Sequence, residues 1–266
     1  MKVMVIGSSG MLGSEIMKLL GSTCIGYDLP DFDITNFDCV AAAVNAAKPD
    51  VILNTSGITD VDYCEKNPAA AEKVHHAGVN NLTATGIRII TVSTDQVFTR
   101  AAEKRYLLES DSTEPANIYA ASKLRGEVAA LECPGNTVVR TSWLFGKTGL
   151  LPWIIRKLLV DGVVTAVTDQ TSCLTSVESL AEILAGMATD RDRTGLFHCV
   201  NKGAVTPYEL ACRVRNMIGT GTVKGTEWAQ LALPAPRPVW SALGTERDIK
   251  LPPLEEVIEL CLQRML

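Results

Sequence analysis

The stretch Met1-Lys2-Val3-Met4-Val5-Ile6-Gly7-Ser8-Ser9-Gly10-Met11-Leu12-Gly13 decides the fold of this chain. The apolar run from Val3 to Ile6 predicts a buried strand, and the residues after Gly10 have the apolar spacing of a helix. Glycines between a strand and a helix permit a tight turn and let backbone N–H groups approach a pyrophosphate. The stretch therefore predicts the first βα unit of a dinucleotide-binding domain, the alternative being a plain strand-to-helix turn.

Apolar runs and helical patterns alternate through the rest of the first half. The runs predict strands at residues 23–27, 51–54, 87–93 and 137–140. Apolar residues at helical spacing predict helices at residues 37–47, 68–85 and 118–131. Strands that are apolar on both faces and alternate with helices indicate a parallel sheet covered on both sides. The predicted fold is therefore α/β, with a Rossmann-type doubly wound parallel sheet.

The pattern becomes less regular in the second half. We expect residues 148–174 and 191–266 to form a smaller C-terminal α/β lobe that binds the substrate. Residues 1–147 form the predicted NAD(P)-binding Rossmann domain, which we expect to include the helix predicted at residues 175–190.

Capping patterns mark two helix starts in this half. Thr175-Ser176-Val177-Glu178 and Thr206-Pro207-Tyr208-Glu209 both have the form of a capping box, the second with proline at the first helical position. The proline-rich residues 231–238 predict an ordered loop, and residues 253–265 predict a terminal helix.

The composition excludes several classes of protein. The chain has 266 residues with 25 Lys and Arg against 30 Asp and Glu, which argues against a partner such as nucleic acid or an anionic membrane. No window approaches the roughly 18 apolar residues of a membrane helix. The eight cysteines form no Cys-x-x-Cys pair, which favours reduced thiols in a cytoplasmic protein. The three histidines lack metal-ligand spacing, so we expect no metal site.

An acidic residue closes the second predicted strand. Asp28 lies about 20 residues after Gly7, where a carboxylate accepts hydrogen bonds from the adenosine ribose. The next residue is Leu29 rather than an arginine that would bind a 2′-phosphate. Asp28 followed by Leu29 favours NADH over NADPH as the cofactor, without excluding NADPH. The alternative is that Asp28 is a solvated turn residue before Pro30.

Three polar residues have the spacing of a proton-transfer site. Tyr119 and Lys123 are four residues apart on one helix face, so we expect the ammonium group to lower the pKa of the phenol. Thr94 ends a predicted strand at the edge where parallel sheets bind ligands, and its hydroxyl can donate to a substrate carbonyl. Alone, the Tyr-x-x-x-Lys spacing also fits an ordinary surface pair.

The order of the motifs along the chain resembles the extended short-chain dehydrogenase/reductases, and within them the dTDP-4-dehydrorhamnose reductase family. The motifs are Gly7-x-x-Gly10-x-x-Gly13, Asp33-Ile34-Thr35, Asn54, Thr59-Asp60-Val61-Asp62, Glu65, Ser93-Thr94-Asp95-x-Val97-Phe98, Pro115-x-x-x-Tyr119-x-x-x-Lys123-x-x-Gly126-Glu127, Arg140-Thr141-Ser142-Trp143, Asp169-Gln170 and Pro236-Arg237-Pro238.

The resemblance implies an NAD(P)H-dependent reduction of the C4 keto group of a nucleotide-activated 4-keto-6-deoxy sugar. The implied reaction converts dTDP-4-dehydro-L-rhamnose to dTDP-L-rhamnose, with a second copy of the chain as a candidate partner. The implied catalytic residues are Thr94, Tyr119 and Lys123. The implied cofactor contacts are Gly7, Ser9, Gly10, Met11, Leu12, Gly13, Asp28, Asp33, Ile34, Asn54, Thr55, Ser56, Tyr119 and Lys123. The implied substrate contacts are Thr59, Val61, Trp143 and Arg237.

Several of these residues also have plain structural interpretations. Trp143 and Val61 fit core positions, and Arg237 fits a solvated charge. Asn54 and Thr59 fit local turns or caps. The sequence by itself leaves both interpretations open at each position.

The chain departs from the family pattern at four positions. Gln96 replaces an aromatic residue, Ser172 a glycine, Leu174 a proline and His75 an asparagine. Dehydratases of similar sequence place glutamate at the position of Gln96, and an amide cannot exchange a proton at neutral pH, which argues against dehydration of the sugar. Two alternatives stay open: a reductase of another nucleotide sugar, and a non-catalytic dinucleotide-binding subunit similar to the regulatory subunit of methionine adenosyltransferase.

Overall fold

The computed structural model describes residues 1–98 and 104–266. In those residues the strands are β1 (Val3–Ile6), β2 (Cys24–Tyr27), β3 (Val51–Asn54), β4 (Ile89–Thr94), β5 (Thr137–Thr141), β6 (Leu144–Phe145), β7 (Val163–Val167), β8 (Ser172–Cys173), β9 (Thr175–Ser176), β10 (Gly195–His198), β11 (Ala204–Val205) and β12 (Thr222–Thr226). The helices are α1 (Met11–Leu20), α2 (Phe37–Ala47), α3 (Val61–Lys66), α4 (Pro68–Glu72), α5 (Gly78–Thr83), α6 (Ile118–Leu131), α7 (Leu150–Arg156), α8 (Val177–Thr189), α9 (Pro207–Ile218) and α10 (Leu254–Met265).

Six strands form a central parallel sheet in the order β2-β1-β3-β4-β5-β10. The chain leaves β1 toward β2 on one side and then crosses to β3 on the other side. The carboxyl ends of β1 and β3 therefore flank a topological switch point, where open α/β sheets bind ligands.

Helices cover both faces of this sheet. On one face the apolar side of α1 and α8 packs against β1 and β3 through residues such as Ile16, Leu184 and Val5. On the other face α2, α5 and α6 pack against the same strands through residues such as Val40 and Leu82. The predicted doubly wound parallel sheet is confirmed.

The C-terminal half has an apolar cluster of its own, which we call the second cluster. It joins α7, α9 and α10 with the parallel pair β7-β12, through residues that include Ile154, Leu210 and Ile258. Leu174 is fully buried in the same cluster. The boundary between the lobes at residue 147 stays a prediction. Helix α8 packs in the cluster that contains Val5 and Leu53 of the central sheet.

Local structure differs from the sequence expectations at two places, the helix predicted at residues 68–85 and the start of α8. The helix predicted at residues 68–85 widens into a π-helical turn at Lys73–Ala77 between α4 and α5. The capping box at Thr206 and Glu209 is confirmed. The one expected at Thr175 is wrong, because the N-cap of α8 is Ser176, which accepts from the N–H of Ser179.

No helix in residues 1–98 or 104–266 has both the length and the apolarity needed to cross a bilayer. All eight cysteines are free thiols.

We expect Gly13→Ala to destabilise the fold, since an added Cβ would lie 2.0 Å from the Gly7 carbonyl oxygen. The overpacking should cost about 1–3 kcal/mol of unfolding free energy. Gly186→Ala is the control, because a Cβ there meets nothing within 4 Å on an exposed helix position; it should stabilise by about 0.5–1 kcal/mol. Urea denaturation of both variants measures the difference, and an unchanged midpoint for Gly13→Ala would contradict the expectation.

Candidate active site

A cleft of about 290 Å³ opens at the switch point, along the carboxyl ends of β1, β2 and β3. Its lining residues are Ile6, Gly7, Ser9, Gly10, Asp28, Leu29, Phe32, Asp33, Ile34, Thr55, Ser56, Gly57, Ile58 and Val74. Eight of the expected cofactor contacts therefore lie together in one cleft. Gly57 and Ile58 also line the cleft, and they were not among the expected cofactor contacts although they lie within four residues of the end of β3.

The glycine turn brings α1 against the end of β1. Gly7 adopts a positive φ of 79° and donates its N–H to the Tyr27 carbonyl at 2.9 Å. Thr55 holds the other side of the turn, with its hydroxyl donating to the Ile6 carbonyl at 2.8 Å. The turn is thus fixed to both neighbouring strands.

The N-terminus of α1 is open toward the cleft. Its N-cap is Gly10, and no side chain caps the helix, whereas Asn117 caps α6 and Asn36 caps α2. The first-turn N–H groups of an α-helix have no intrahelical partner, so those of Met11 and Leu12 remain available to an anion. Together with the glycine cradle, this arrangement fits the pyrophosphate of a dinucleotide.

Asp28 lies at the end of β2 on the rim of this cleft. Its Oδ2 accepts the Ser9 N–H at 2.9 Å and the Ser9 hydroxyl at 2.5 Å, and its Oδ1 accepts the Leu29 N–H at 2.9 Å. Partial burial acts to raise the pKa of Asp28, but these hydrogen bonds outweigh it and lower the pKa. The group is therefore an anion that keeps lone pairs for ribose hydroxyls.

The charged side chains that line the cleft are acidic. Among the residues that the structure describes, its lining contains two carboxylates, Asp28 and Asp33, and no lysine or arginine. Leu29 is 69% exposed on the rim. A dianionic 2′-phosphate placed here would meet negative charge without a cation to pair with it.

The other expected cofactor residues lie outside the lining of the cleft. Met11 and Leu12 direct their side chains toward the α1 packing face, which leaves their backbone N–H groups for a ligand. Asn54 is buried and satisfied within the protein: its amide donates to Thr91 Oγ1 at 3.0 Å and its carbonyl oxygen accepts from Ser56. Asn54 thus has the geometry of a strand-end turn residue.

Thr94, Tyr119 and Lys123 meet at the end of β4. The Lys123 ammonium donates to the Val92 carbonyl at 2.6 Å, which fixes this face of α6 against the strand. Thr94 ends the strand, and its hydroxyl interacts with the Tyr119 phenol. A hydroxyl, a phenol and an ammonium group therefore converge beside the cleft.

The expected lowering of the Tyr119 pKa is wrong for this structure. Burial raises the pKa of the phenol, with a further contribution from the charge of Asp95, although the Thr94 hydroxyl acts in the opposite direction. The Lys123 ammonium is directed to the Val92 carbonyl, at 2.6 Å. Tyr119 is therefore a neutral proton donor at neutral pH.

The pKa of Lys123 is lowered from its usual value. Burial lowers its pKa to about 8, while the negative charge of Glu127, one turn further along α6, opposes the shift. Glu127 is in turn held by a buried bidentate pair with Arg140 on β5, at 2.7 Å for the closest atoms. The pair anchors α6 to the strand next to β4.

A buried histidine that the sequence had not assigned a role packs against Tyr119. His75 lies in the π-helical turn, and its ring meets the Tyr119 ring edge-on with 5.5 Å between centroids. Its Nε2 accepts the Ile58 N–H at 3.0 Å, and its Nδ1 is 2.8 Å from Ser122 Oγ. Since the Ser122 hydroxyl donates to the Tyr119 carbonyl, Nδ1–H is the donor to Ser122. His75 therefore links the loop after β3 to the helix of Tyr119.

The expected substrate residues lie in separate segments: Thr59 and Val61 at α3, Trp143 between β5 and β6, and Arg237 in the proline-rich loop. Arg237 is ion-paired with Asp62 at 2.9 Å and stacks on Trp228 with 4.9 Å from its guanidinium carbon to the ring. Trp143 is half-buried against the second cluster and has a positive φ of 30°. Val61 is buried at the start of α3, and Thr59 is exposed.

The departures from the family pattern have local partners. Gln96 accepts a hydrogen bond from Asn117 Nδ2 at 3.0 Å, and Asn117 also donates to the Pro236 carbonyl at 2.9 Å. Ser172 donates to Asp95 at 2.7 Å. Across residues 1–98 and 104–266, no group of three or more His, Cys, Asp or Glu side chains has the arrangement of a metal site.

The comparisons with known proteins agree with this geometry. The model of the family described as "RmlD substrate binding domain" matches residues 1–265. The chain is 35% identical to the dTDP-4-dehydrorhamnose reductase of Mycobacterium tuberculosis strain CDC 1551, over 92% of this chain and 86% of that protein. It is 32% identical to a probable dTDP-4,6-dihydroxy-2-methyloxan-3-one 4-ketoreductase of Streptomyces antibioticus, over 93% and 88% of the two chains.

Among solved structures, it resembles the dTDP-4-dehydrorhamnose reductase of Bacillus anthracis strain Ames in complex with NADP. The TM-score is 0.92 at 26% sequence identity, and the match covers 99% of this chain and 100% of that chain.

We expect the stability contributed by His75 to be lost at acid pH. Burial, helped by the charge of Lys123, lowers its pKa to about 3, against 6.5 when the side chain is unperturbed. Below pH 6.5 the unfolded chain therefore binds the extra proton, and stability falls as the pH decreases toward 3, by up to about 1.4 kcal/mol per pH unit.

The comparison of wild type with His75→Asn isolates this effect. Urea unfolding at pH 7 and pH 5 should show about 2 kcal/mol less loss of unfolding free energy for the variant. His76→Asn, the neighbouring histidine that pairs with Glu72 at 2.6 Å, should keep the wild-type loss. Equal losses in wild type and His75→Asn would show that His75 is not the group responsible.

Proposed function

The chain belongs to the family of the RmlD substrate binding domain, and from that premise we propose that it reduces the C4 keto group of a dTDP-activated 4-keto-6-deoxy sugar. The chain is a nicotinamide-dependent oxidoreductase with dTDP-4-dehydro-L-rhamnose as its substrate and dTDP-L-rhamnose as its product. The convergence of Thr94, Tyr119 and Lys123 beside the dinucleotide cleft carries this conclusion.

Each residue of this set has a role that its geometry supports. The Thr94 hydroxyl donates to the C4 carbonyl oxygen and polarises it. The Tyr119 phenol, neutral because burial raises its pKa, protonates the developing alkoxide. Lys123 orients the cofactor ribose with its ammonium group. When bound, the nicotinamide cofactor supplies the hydride.

The glycine turn, the open end of α1 and Asp28 hold the cofactor in this proposal. Gly7, Gly10 and Gly13 leave the first-turn N–H groups free for the pyrophosphate. Asp28 accepts hydrogen bonds from the ribose hydroxyls. The acidic lining of the cleft supports NADH as the preferred cofactor.

The sugar nucleotide lies between the two lobes in this proposal. Thr59 and Val61 precede and begin α3, next to the catalytic helix; Arg237 is paired with Asp62 of α3, and Trp143 packs on the apolar cluster of the second lobe. Asp62 fixes the Arg237 guanidinium through two oxygens and also accepts the Ala235 N–H. A guanidinium held in this way suits the diphosphate of a nucleotide sugar.

A second candidate is reduction of a different dTDP-4-keto sugar. It is favoured by the 32% identity to the Streptomyces antibioticus protein, which is named as a probable 4-ketoreductase of another dTDP-sugar. Gln96 and Ser172 lie beside the proposed catalytic threonine, since the Gln96 N–H donates to Thr94 Oγ1 and Ser172 donates to Asp95; these changes support a different fit to the sugar. The retained proton-donor set argues against a non-catalytic subunit.

A cytoplasmic location and a homodimeric assembly are further parts of the proposal. The eight free thiols support a reducing compartment. Size-exclusion chromatography with light scattering would measure the assembly directly.

We expect Tyr119→Phe to lower kcat by about 10²–10⁴-fold, since it removes the proton donor and leaves the ring packing. The assay follows nicotinamide absorbance with dTDP-4-dehydro-L-rhamnose, and with a second dTDP-4-keto sugar in parallel. Tyr208→Phe is the control, because Tyr208 packs in the second lobe, and it should keep wild-type activity. Unchanged turnover in Tyr119→Phe would overturn the mechanism, and faster turnover of the second sugar would favour the second candidate.

We expect wild type to have the higher kcat/KM with NADH, and Leu29→Arg to raise the NADPH to NADH ratio of kcat/KM by at least about tenfold. The new guanidinium on the rim would pair with the 2′-phosphate. Leu260→Arg places the same group on an exposed leucine of α10 and should leave the ratio unchanged. A wild-type preference for NADPH would contradict the cofactor assignment.

A further inference from the structure

A buried carboxyl group lies directly beside the proposed catalytic threonine. Asp95 follows Thr94 and is only 3% exposed. Its Oδ2 accepts hydrogen bonds from Ser241 Oγ at 2.5 Å and Ser172 Oγ at 2.7 Å. Ser142 completes the group, with its Oγ 2.6 Å from that of Ser172. Three serines from separate segments thus surround the carboxyl group of Asp95. We call Ser142, Ser172 and Ser241 the serine cage.

The other oxygen of Asp95 faces the reacting side. Its Oδ1 lies 3.2 Å from Thr94 Oγ1, which also accepts the Gln96 N–H at 3.2 Å. A threonine hydroxyl has one proton and two lone pairs. That proton can go to Asp95 Oδ1, to the Tyr119 phenol oxygen or to a substrate carbonyl, but it cannot form a full hydrogen bond with more than one of them.

The side chains that hydrogen-bond Asp95 in the described part of the chain are hydroxyl groups. Within residues 1–98 and 104–266, Asp95 forms no ion pair. The charge of Asp95 raises the pKa of two neighbouring groups, Tyr119 on α6 and Cys173 on β8. Burial is the larger cause of the raised pKa in both groups. Burial raises the pKa of Asp95 itself, and the hydrogen bonds from the serine cage and Thr94 only partly oppose the shift.

We propose that Asp95 is a positioning residue that sets the direction of the Thr94 hydroxyl. As a neutral acid it donates from Oδ1 to Thr94 Oγ1, and the threonine proton turns toward the C4 carbonyl of the substrate. As a carboxylate it accepts that proton itself, and the carbonyl loses its donor. The inference rests on the proposed reductase function.

The pH dependence of kcat follows from this switch. Turnover should fall by about tenfold per pH unit above the inflection at which Asp95 ionises, since only the neutral form leaves Thr94 free to donate. Lys123, with its pKa lowered to about 8, provides a second decrease on the alkaline side. The two decreases are separable because the serine cage donates to Asp95, whereas Lys123 donates to the Val92 carbonyl.

Asp95→Asn tests the proposed direction of the hydrogen bond. The amide nitrogen would donate to Thr94 as the neutral acid does, while the amide oxygen accepts from Ser172 and Ser241. We expect the first alkaline decrease in kcat to disappear, so that one pH unit above the wild-type inflection the variant is about tenfold faster than wild type. Asp111→Asn, a surface carboxylate paired with Arg105 at 2.6 Å, is the matched control and should keep the wild-type profile.

The serine cage provides a second test with the opposite direction of change. Ser241→Ala and Ser172→Gly each remove a donor that stabilises the carboxylate, so the inflection in kcat should move to higher pH in both variants. A purely structural role for the cage would lower kcat at every pH without moving the inflection. Such a result, or an Asp95→Asn variant with kcat reduced more than 100-fold at all pH values, would overturn the inference.

The protonation state of Asp95 can be measured without turnover. Infrared spectroscopy of the free protein should show the carbonyl band of a protonated carboxylic acid that is missing from Asp95→Asn. If wild type turns over no dTDP-4-keto sugar but shows the band, the proposed function fails and the neutral Asp95 stands. If wild type is active and the band is absent below the kinetic inflection, the inference fails and the reductase function stands.

Discussion

The close approach of α1 to the end of β1 is the contact on which the rest of the structure depends. An added Cβ at Gly13 would lie 2.0 Å from the Gly7 carbonyl, and one at Gly7 would lie 2.8 Å from the Ser56 nitrogen. The backbones of β1, α1 and the loop after β3 therefore meet without any side chain between them. This contact leaves the N-terminus of α1 pointing into the switch-point crevice, which makes the crevice a site for an anion.

A second backbone contact places the proton-transfer residues. A Cβ at Gly126 would lie 2.1 Å from the His75 carbonyl, so α6 packs directly on the π-helical turn. On the opposite side, Glu127 binds Arg140 of β5 in a buried pair. Loss of one member of such a pair costs about 3–5 kcal/mol, because the other charge is left buried and unpaired. The helix is thus held from two sides, and Lys123 reaches the carbonyl of Val92 in β4.

Polar groups at the centre of the molecule join its two lobes. Asn117 caps α6 and also donates to the Pro236 carbonyl of the proline-rich loop. Asp62 at α3 binds Arg237 of the same loop. Asp95 at the end of β4 accepts from serines on β8 and on the loop at Ser241. Each link runs from an element of the catalytic side to the second lobe, so the position of the sugar site depends on these hydrogen bonds.

The sequence by itself determined the parallel sheet, the glycine turn and the placement of Tyr119 and Lys123 on one face of α6. These features depend on neighbours within a few residues, where periodicity and spacing act directly. Tertiary structure alone decided the direction of the Lys123 ammonium, which binds Val92 and leaves the Tyr119 pKa raised. It also decided the roles of His75 and Ser172, whose partners Ile58 and Asp95 are distant in the chain. Burial and hydrogen bonding between distant segments set these properties, and no local pattern in a single sequence records them.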